Sequence, residues 1–278
     1  MAKIIAIIND KGGVSKTTTT MNLGTALYLL GYKVLLVDSD KQCNLTITLD
    51  KTSYKVGVQT LYDWMKDDSI EPPVYERYEG LDYIPSSVRI DELNTWLADK
   101  VYRENYLSMR LNALRDEYDF ILIDCAPGCS SIINKNAIAA SDGVIIPVRT
   151  DLYSVQGKNA VINIIDEINK MMGKHIEMMG YLLTQYERTR MGKEVRQFFT
   201  DQDKPVFPIP IRKCAKCNEA PKEQMSLFEF AADCTAADDY MRLAETITDK
   251  TTRPKKWTPA AWAKKANDAY DKFLNEQE

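Results

Sequence analysis

Histidine occurs once in this 278-residue chain, at position 175. With no second imidazole to pair with, and placed between a helix-like run and a strand, His175 reads as structural or solvated. Six cysteines in a chain of this size are too few for a disulfide scaffold, and a cytosol would keep them reduced. No apolar run approaches the roughly 20 residues of a membrane span. The start of the chain enters a strand at once, without a secretory or transit pattern, which predicts a cytoplasmic protein. Basic residues are not in excess either. The formal net charge is −4, so any nucleic-acid contact has to come from a local patch. What remains is a chain that is 45% hydrophobic and long enough for one sizeable core, which predicts a single α/β domain.

The stretch from Asn9 to Thr20 reads N-D-K-G-G-V-S-K-T-T-T-T. Before it runs the apolar, β-branched Lys3–Ile8 segment, and after it Met21 to Leu30 carries apolar residues at helical spacing until Gly31. Buried strand, glycine loop and helix, in that order, are the setting a phosphate-binding loop needs. Gly12 and Gly13 let successive N–H groups point into one concavity, at which the positive end of the following helix is also aimed. Lys16 can then reach the β- and γ-phosphates, and the Thr17 hydroxyl can complete the shell of a Mg²⁺ ion. The nucleotide contact set expected from this loop is Lys11, Gly12, Gly13, Val14, Ser15, Lys16, Thr17 and Thr18. Ser15 stands where the common G-x-x-x-x-G-K-T pattern has glycine, so a left-handed backbone there would be strained.

Lys11, a second lysine ahead of the glycine pair, makes the loop K-G-G-x-x-K-T. On this motif the chain resembles the ParA/MinD superfamily of ATPases, and most closely its ParA (Soj-like) DNA-partitioning branch. The resemblance implies ATP and Mg²⁺ as ligands and a homodimer in the ATP state. In that dimer Lys11 would reach the nucleotide held by the partner subunit.

Two further strands end in carboxylates. Lys33–Asp40 reads K-V-L-L-V-D-S-D, placing Asp38 and Asp40 at a strand's carboxyl end, where functional groups collect in open parallel sheets. The family motif V-D-x-D-P-Q-G-N appears as V-D-S-D-K-Q-C-N, with Lys41 for proline and Cys43 for glycine. By resemblance Asp40 positions or polarises the attacking water and Asp38 supports the Mg²⁺ shell; either aspartate alone could simply cap a helix. Tyr118–Gly128 matches the Walker B and switch II pattern, with Asp124 holding Mg²⁺ and Gly128 free to move. Lys11, Lys16 and Asp40 are thus the expected catalytic residues, and Thr17, Asp38 and Asp124 the expected metal set.

Strands alternating with crossover helices, continuing through Gly143–Val148, Ser154–Met172 and Ile176–Thr184, predict a doubly wound, mostly parallel sheet with helices on both faces. Thr52 to Glu117 proposes no chemistry, and its aromatics read as core.

From Arg188 to Lys222 nine basic residues face four acids. ParA proteins of this branch bind double-stranded DNA without sequence preference through this region. Glu219-Ala220-Pro221 resembles the family's E-A-P and puts Lys213 and Lys216 where the family has arginines. Arg188, Arg190, Lys213 and Lys216 are the expected DNA contacts, and Pro210 and Arg212 the wall against adenine. The resemblance further implies nucleoid association and a centromere-binding, ParB-like partner that stimulates hydrolysis. The absence of the N-terminal helix-turn-helix of longer relatives argues against self-contained operator recognition. Residues 1–249 are read as the ATPase domain, and 250–278 as a basic linker with an amphipathic helix that packs on the domain or contacts DNA. Acids and alanines on that helix make a MinD-like membrane anchor unlike it. A rival reading rests on Cys214 and Cys217, a C-x-x-C such as holds an iron–sulfur cluster between two subunits of some relatives. Cys43, Cys125, Cys129 and Cys234 form no ligand-spaced set with that pair.

Overall fold

A computed structural model describes residues 1–49, 58–150, 159–201 and 204–249. The expected basic linker and helix of 250–278 lie outside the described residues, as does the first part of the helix expected from Ser154.

Four apolar segments without alternation become strands buried on both faces: β1 (Lys3–Ile7), β2 (Val34–Asp38), and, after a hairpin of β3 (Tyr75–Tyr78) and β4 (Leu81–Ile84), β5 (Phe120–Asp124) and β6 (Gly143–Arg149). With β7 (Glu177–Thr184) they form a seven-stranded sheet in the order β3-β4-β2-β5-β1-β6-β7. All neighbours pair parallel except β3 with β4. The doubly wound arrangement expected from the sequence is therefore present. The antiparallel edge strand β3 was not anticipated. Its signal was the Glu79-Gly80 turn between two tyrosine-bearing segments, and Gly80 does adopt φ +93°.

Side chains alternate across the sheet and feed two cores. Ile4, Ala6, Leu35, Val37, Ile121 and Ile123 face one way, towards the helices of 61–66, 92–98, 106–112, 132–140, 159–172 and 190–200. Ile5, Ile7, Val34, Leu36 and Leu122 face the other, towards the helices of 16–29, 44–49, 227–230 and 235–248. In chain order the described helices are α1 (Lys16–Leu29), α2 (Asn44–Leu49), α3 (Leu61–Lys66), α4 (Glu92–Ala98), α5 (Tyr106–Asn112), α6 (Ile132–Ala140), α7 (Asn159–Met172), α8 (Arg190–Thr200), the short α9 (Lys216–Glu219), which buries no residue, α10 (Leu227–Phe230) and α11 (Thr235–Thr248). Trp64, Tyr62 and Tyr83 are buried, as expected of the aromatics in that region, and His175 is exposed.

Helix α1 lies unusually close to β2. A Cβ on Gly24 would sit 2.4 Å from Leu36 Cδ2, so any larger residue would require the Leu36 side chain to move. The approach brings the N-terminus of α1 down onto the carboxyl ends of β2, β5 and β1, which are adjacent in the sheet. Among the described residues no helix is long and apolar enough to cross a membrane.

Candidate functional site: a phosphate loop over three strand ends

The loop between β1 and α1 is held open by backbone geometry. Gly13 has φ +70° and Ser15 φ +69°, both left-handed. A Cβ on Gly13 would meet nothing within 4 Å, so glycine is required there by conformation, not by space. Ser15 is the non-glycine residue in the strained position that the sequence pointed to. Asn9 braces the loop start, its Nδ2 donating to Pro147 O (2.7 Å) and its Oδ1 accepting from Lys11 N (3.0 Å).

Lys16 is only 7% exposed, and its Nζ donates to Lys11 O at 3.0 Å. Burial lowers its pKa, and the nearby carboxylates of Asp124, Asp40 and Asp10 oppose that shift. The lysine is a cation held in a dry site by surrounding acids, and a phosphate could displace its link to the loop carbonyl.

Two of the acids end adjacent strands in register, beside the end of β1. Asp38 pairs with Asp124 across β2 and β5, and Asp124 with Ile7 across β5 and β1. Asp124 is almost wholly buried; its Oδ1 accepts from Thr20 Oγ1 at 3.3 Å, and Thr17 also hydrogen-bonds to it. Its Oδ2 has no hydrogen-bond partner. Burial, then the charge of Asp38, raises the Asp124 pKa well above the usual carboxylate range. An orphaned buried carboxylate oxygen beside a threonine hydroxyl, under a phosphate loop, suits a divalent cation. Mg²⁺ typically takes one or two carboxylates and keeps water and substrate phosphate for its other positions. Accordingly, among the described residues no group of three or more His, Cys, Asp or Glu side chains forms a complete metal cage.

Asp38, expected in the Mg²⁺ shell, has both oxygens engaged. Oδ1 accepts from Asp40 N (3.0 Å), and Oδ2 from Thr46 N (2.9 Å) and Thr46 Oγ1 (2.7 Å). Burial pushes it up to about 6 despite those bonds. Its immediate work is to orient Asp40 and hold α2. Asp40 Oδ1 accepts from Gln42 N (2.9 Å), and the residue is 7% exposed. The switch loop after β5 is docked on the phosphate loop, with Gly128 N donating to Asp10 O (3.0 Å) and Cys129 N to Asp10 Oδ1 (3.1 Å). No local pattern singles out Asp10.

Beside the loop lies a cavity of about 390 Å³ lined by residues that include Thr17, Thr18, Asn44, Asn218 and Pro221. Pro210 and Arg212, expected against adenine, line a different groove of about 360 Å³ together with Arg188, Lys193, Arg196 and Arg242. The Arg212 guanidinium is committed to Asp239, with Nε–Oδ2 at 2.8 Å and Nη2–Oδ1 at 2.7 Å. Tertiary structure thus collects Arg188 with Lys193, Arg196 and the distant Arg242. The other expected DNA contacts do not line this groove: Arg190 pairs with Glu194, Lys213 with Glu187, and Lys216 with Glu219.

The Cys214–Cys217 pair gains a third thiol as a neighbour in the fold. Cys234, at the N-terminus of α11, hydrogen-bonds with Cys214, which also bonds to Cys217. Burial first, then Cys214, pushes Cys217 up to about 12; burial pushes Cys234 up to about 11. The fold brings together thiols that sequence spacing separates, in an arrangement that does not form a metal site.

A family model described as an AAA domain matches residues 2–178. The sporulation initiation inhibitor protein Soj of Bacillus subtilis is 35% identical over 254 residues, covering 89% of this chain and 98% of Soj. The chromosome partitioning protein ParA of Caulobacter vibrioides is 29% identical, covering 89% and 94%. The chain belongs to the Soj/ParA family of ATPases. Among solved structures, the septum site-determining protein MinD of Pyrococcus horikoshii, complexed with Mg-ADP, superposes with a TM-score of 0.71 at 25% identity, covering 92% of this chain and 100% of MinD.

Proposed function

We propose that this Soj/ParA-family ATPase binds ATP·Mg²⁺ at the β1–α1 loop, dimerises around it, and in that state holds double-stranded DNA without sequence preference. The observation that carries the nucleotide part is the buried, unpartnered Asp124 Oδ2 beside Thr17, directly beneath a loop with two lysines. Mg²⁺ held by Thr17 and Asp124 would neutralise charge on the β- and γ-phosphates. Asp38 supports this shell from behind, by fixing Asp40 and α2. Loop N–H groups from Gly12 to Thr18 and the Lys16 ammonium bind the phosphates, and Asp40 orients the attacking water. Positioning and charge do the work, since phosphoryl transfer asks little covalent chemistry of the protein. Lys11 reaches the nucleotide of the partner subunit, which makes ATP part of the dimer interface.

Arg188, Arg190, Lys213 and Lys216, joined by Lys193, Arg196 and Arg242, supply phosphate contacts on the dimer. A ParB-like centromere-binding partner sets the hydrolysis rate that releases the dimer, and the protein works in the cytoplasm on the nucleoid. Sedimentation velocity with ADP or a non-hydrolysable ATP analogue, with and without duplex DNA, tests the scheme. The expected result is monomer with ADP, dimer with the analogue, and DNA comigrating only with the dimer. Asp40→Ala should stay dimeric with ATP itself and fail to turn over. A monomer with the analogue would remove the proposed role of Lys11.

A further inference from the structure

Serine at position 15 is a departure that the fold has to accommodate, because its backbone is left-handed at φ +69°. A non-glycine residue there is disfavoured by roughly 1–2 kcal/mol unless something local holds it. Ser15 is the N-cap of α1, yet its hydroxyl makes no capping bond to the helix. It instead accepts a hydrogen bond from Gln185 Nε2 at 3.2 Å, and the same amide nitrogen lies 3.4 Å from Gly13 O. Gln185 is itself left-handed, at φ +50°, immediately after β7. Its neighbour Thr184, fully buried, donates to Val14 O at 3.1 Å. Two consecutive residues at the end of β7 thus hold three consecutive residues of the phosphate loop, Gly13, Val14 and Ser15.

We infer that Gln185 is a positioning residue for the phosphate loop, holding Ser15 in the left-handed conformation that glycine would adopt unaided. A glycine at 15 offers no side-chain acceptor, so the Gln185 amide matters here because serine stands at that position. The chain beyond Gln185 continues into the other groove: Tyr186 N donates to Ile211 O and Lys213 N to Tyr186 O, both at 3.0 Å. Gln185 therefore ties the loop to the segment that carries Pro210 and Arg212. The inference rests on nucleotide binding at this loop, and needs neither the dimer nor DNA.

Gln185→Asn tests it. Asparagine keeps the amide and tolerates a positive φ at least as well, but it is one methylene too short to reach Ser15. ATP affinity, read by titration of a fluorescent ATP analogue with Mg²⁺, should fall about fivefold, the effect of one neutral hydrogen bond. The turnover number at saturating ATP should not change. In a Ser15→Gly background the same substitution should cost less than about twofold, since the Ser15 acceptor is gone and only the longer contact to Gly13 O is left to lose. Without nucleotide, amides from Gly13 to Thr18 should exchange hydrogen several-fold faster in Gln185→Asn and return towards the parent rate when Ser15→Gly is added. Unchanged affinity, an undiminished loss in the glycine background, or unchanged exchange would each overturn the role. The exchange experiment decides even if ATP itself fails to bind, in which case the nucleotide reading alone falls.

Discussion

Lys16 and Arg188 are both cations proposed to meet phosphate, and they are held in opposite ways. Lys16 is buried among Asp124, Asp40 and Asp10, with Nζ on a loop carbonyl and the helix N-terminus behind it. Arg188 sits exposed in the connection between β7 and α8, and gathers Lys193, Arg196 and Arg242 around a groove. The first site is preorganised: its donors are backbone groups and one desolvated lysine, in a low-dielectric setting where each interaction is strong. The second is a field of surface charges, and the neighbouring Arg190, Lys213 and Lys216 are paired with Glu194, Glu187 and Glu219 on the surface, where ion pairs contribute little and salt screens them. Specific recognition of a triphosphate needs the first kind of site. Sequence-independent contact with a polyanion needs only the second.

The sharpest way to break this contrast is Lys16→Ala. It should abolish ATP binding as measured by calorimetry, while far-ultraviolet dichroism stays unchanged; retained binding would mean the loop backbone suffices. A middle-sized effect is expected where burial is the only common factor. Arg77 on β3 and Glu229 on α10 form a salt bridge of 2.7 Å with side chains 6% and 3% exposed. Arg77 also donates to Leu49 O and Gln224 O. Arg77→Ala leaves the buried carboxylate without its counter-charge and should destabilise the fold by about 3–5 kcal/mol in urea titration. Burial pushes Glu229 up, but Arg77, Tyr78 and the Ser226 N–H outweigh it and leave it below its ordinary value of 4.5. A depressed carboxylate stabilises the fold above its unfolded pKa and loses that contribution as pH falls through its folded one. The gap between wild type and Arg77→Ala should therefore be widest above about pH 4.5 and narrow below it. The smallest effect belongs to the surface: Lys216→Glu should spare analogue-driven dimerisation, weaken DNA binding, and reduce the salt slope of that binding by about 1. An unchanged slope would place the DNA elsewhere.

The parts of the site that were readable from the chain are those written contiguously. The Lys11–Thr18 loop, the Asp38–Asp40 strand end and Asp124 each announce themselves within a dozen residues, because a buried strand, a tight turn and a helix start have local signatures. The structure sets all three at adjacent strand ends. The reading was poorer where long-range pairing decides. Strand β3 exists because Tyr75–Tyr78 finds β4 as an edge. Asp10, Gln185, Arg242 and Cys234 carried no signal, since each acquires its meaning from a neighbour more than 15 residues away.

The amino-acid order alone determined that a phosphate loop exists, that two acidic strand ends accompany it, and that the sheet is mostly parallel and covered on both faces. These follow from backbone sterics, glycine placement and the alternation of apolar runs. Tertiary structure alone decided which acid is left unpartnered, that Asp38 serves Asp40 and α2, that Arg212 is spent on Asp239, and that Gln185 holds Ser15. Those outcomes depend on desolvation and on hydrogen-bond partners brought together from distant parts of the chain, and a linear pattern carries no record of either.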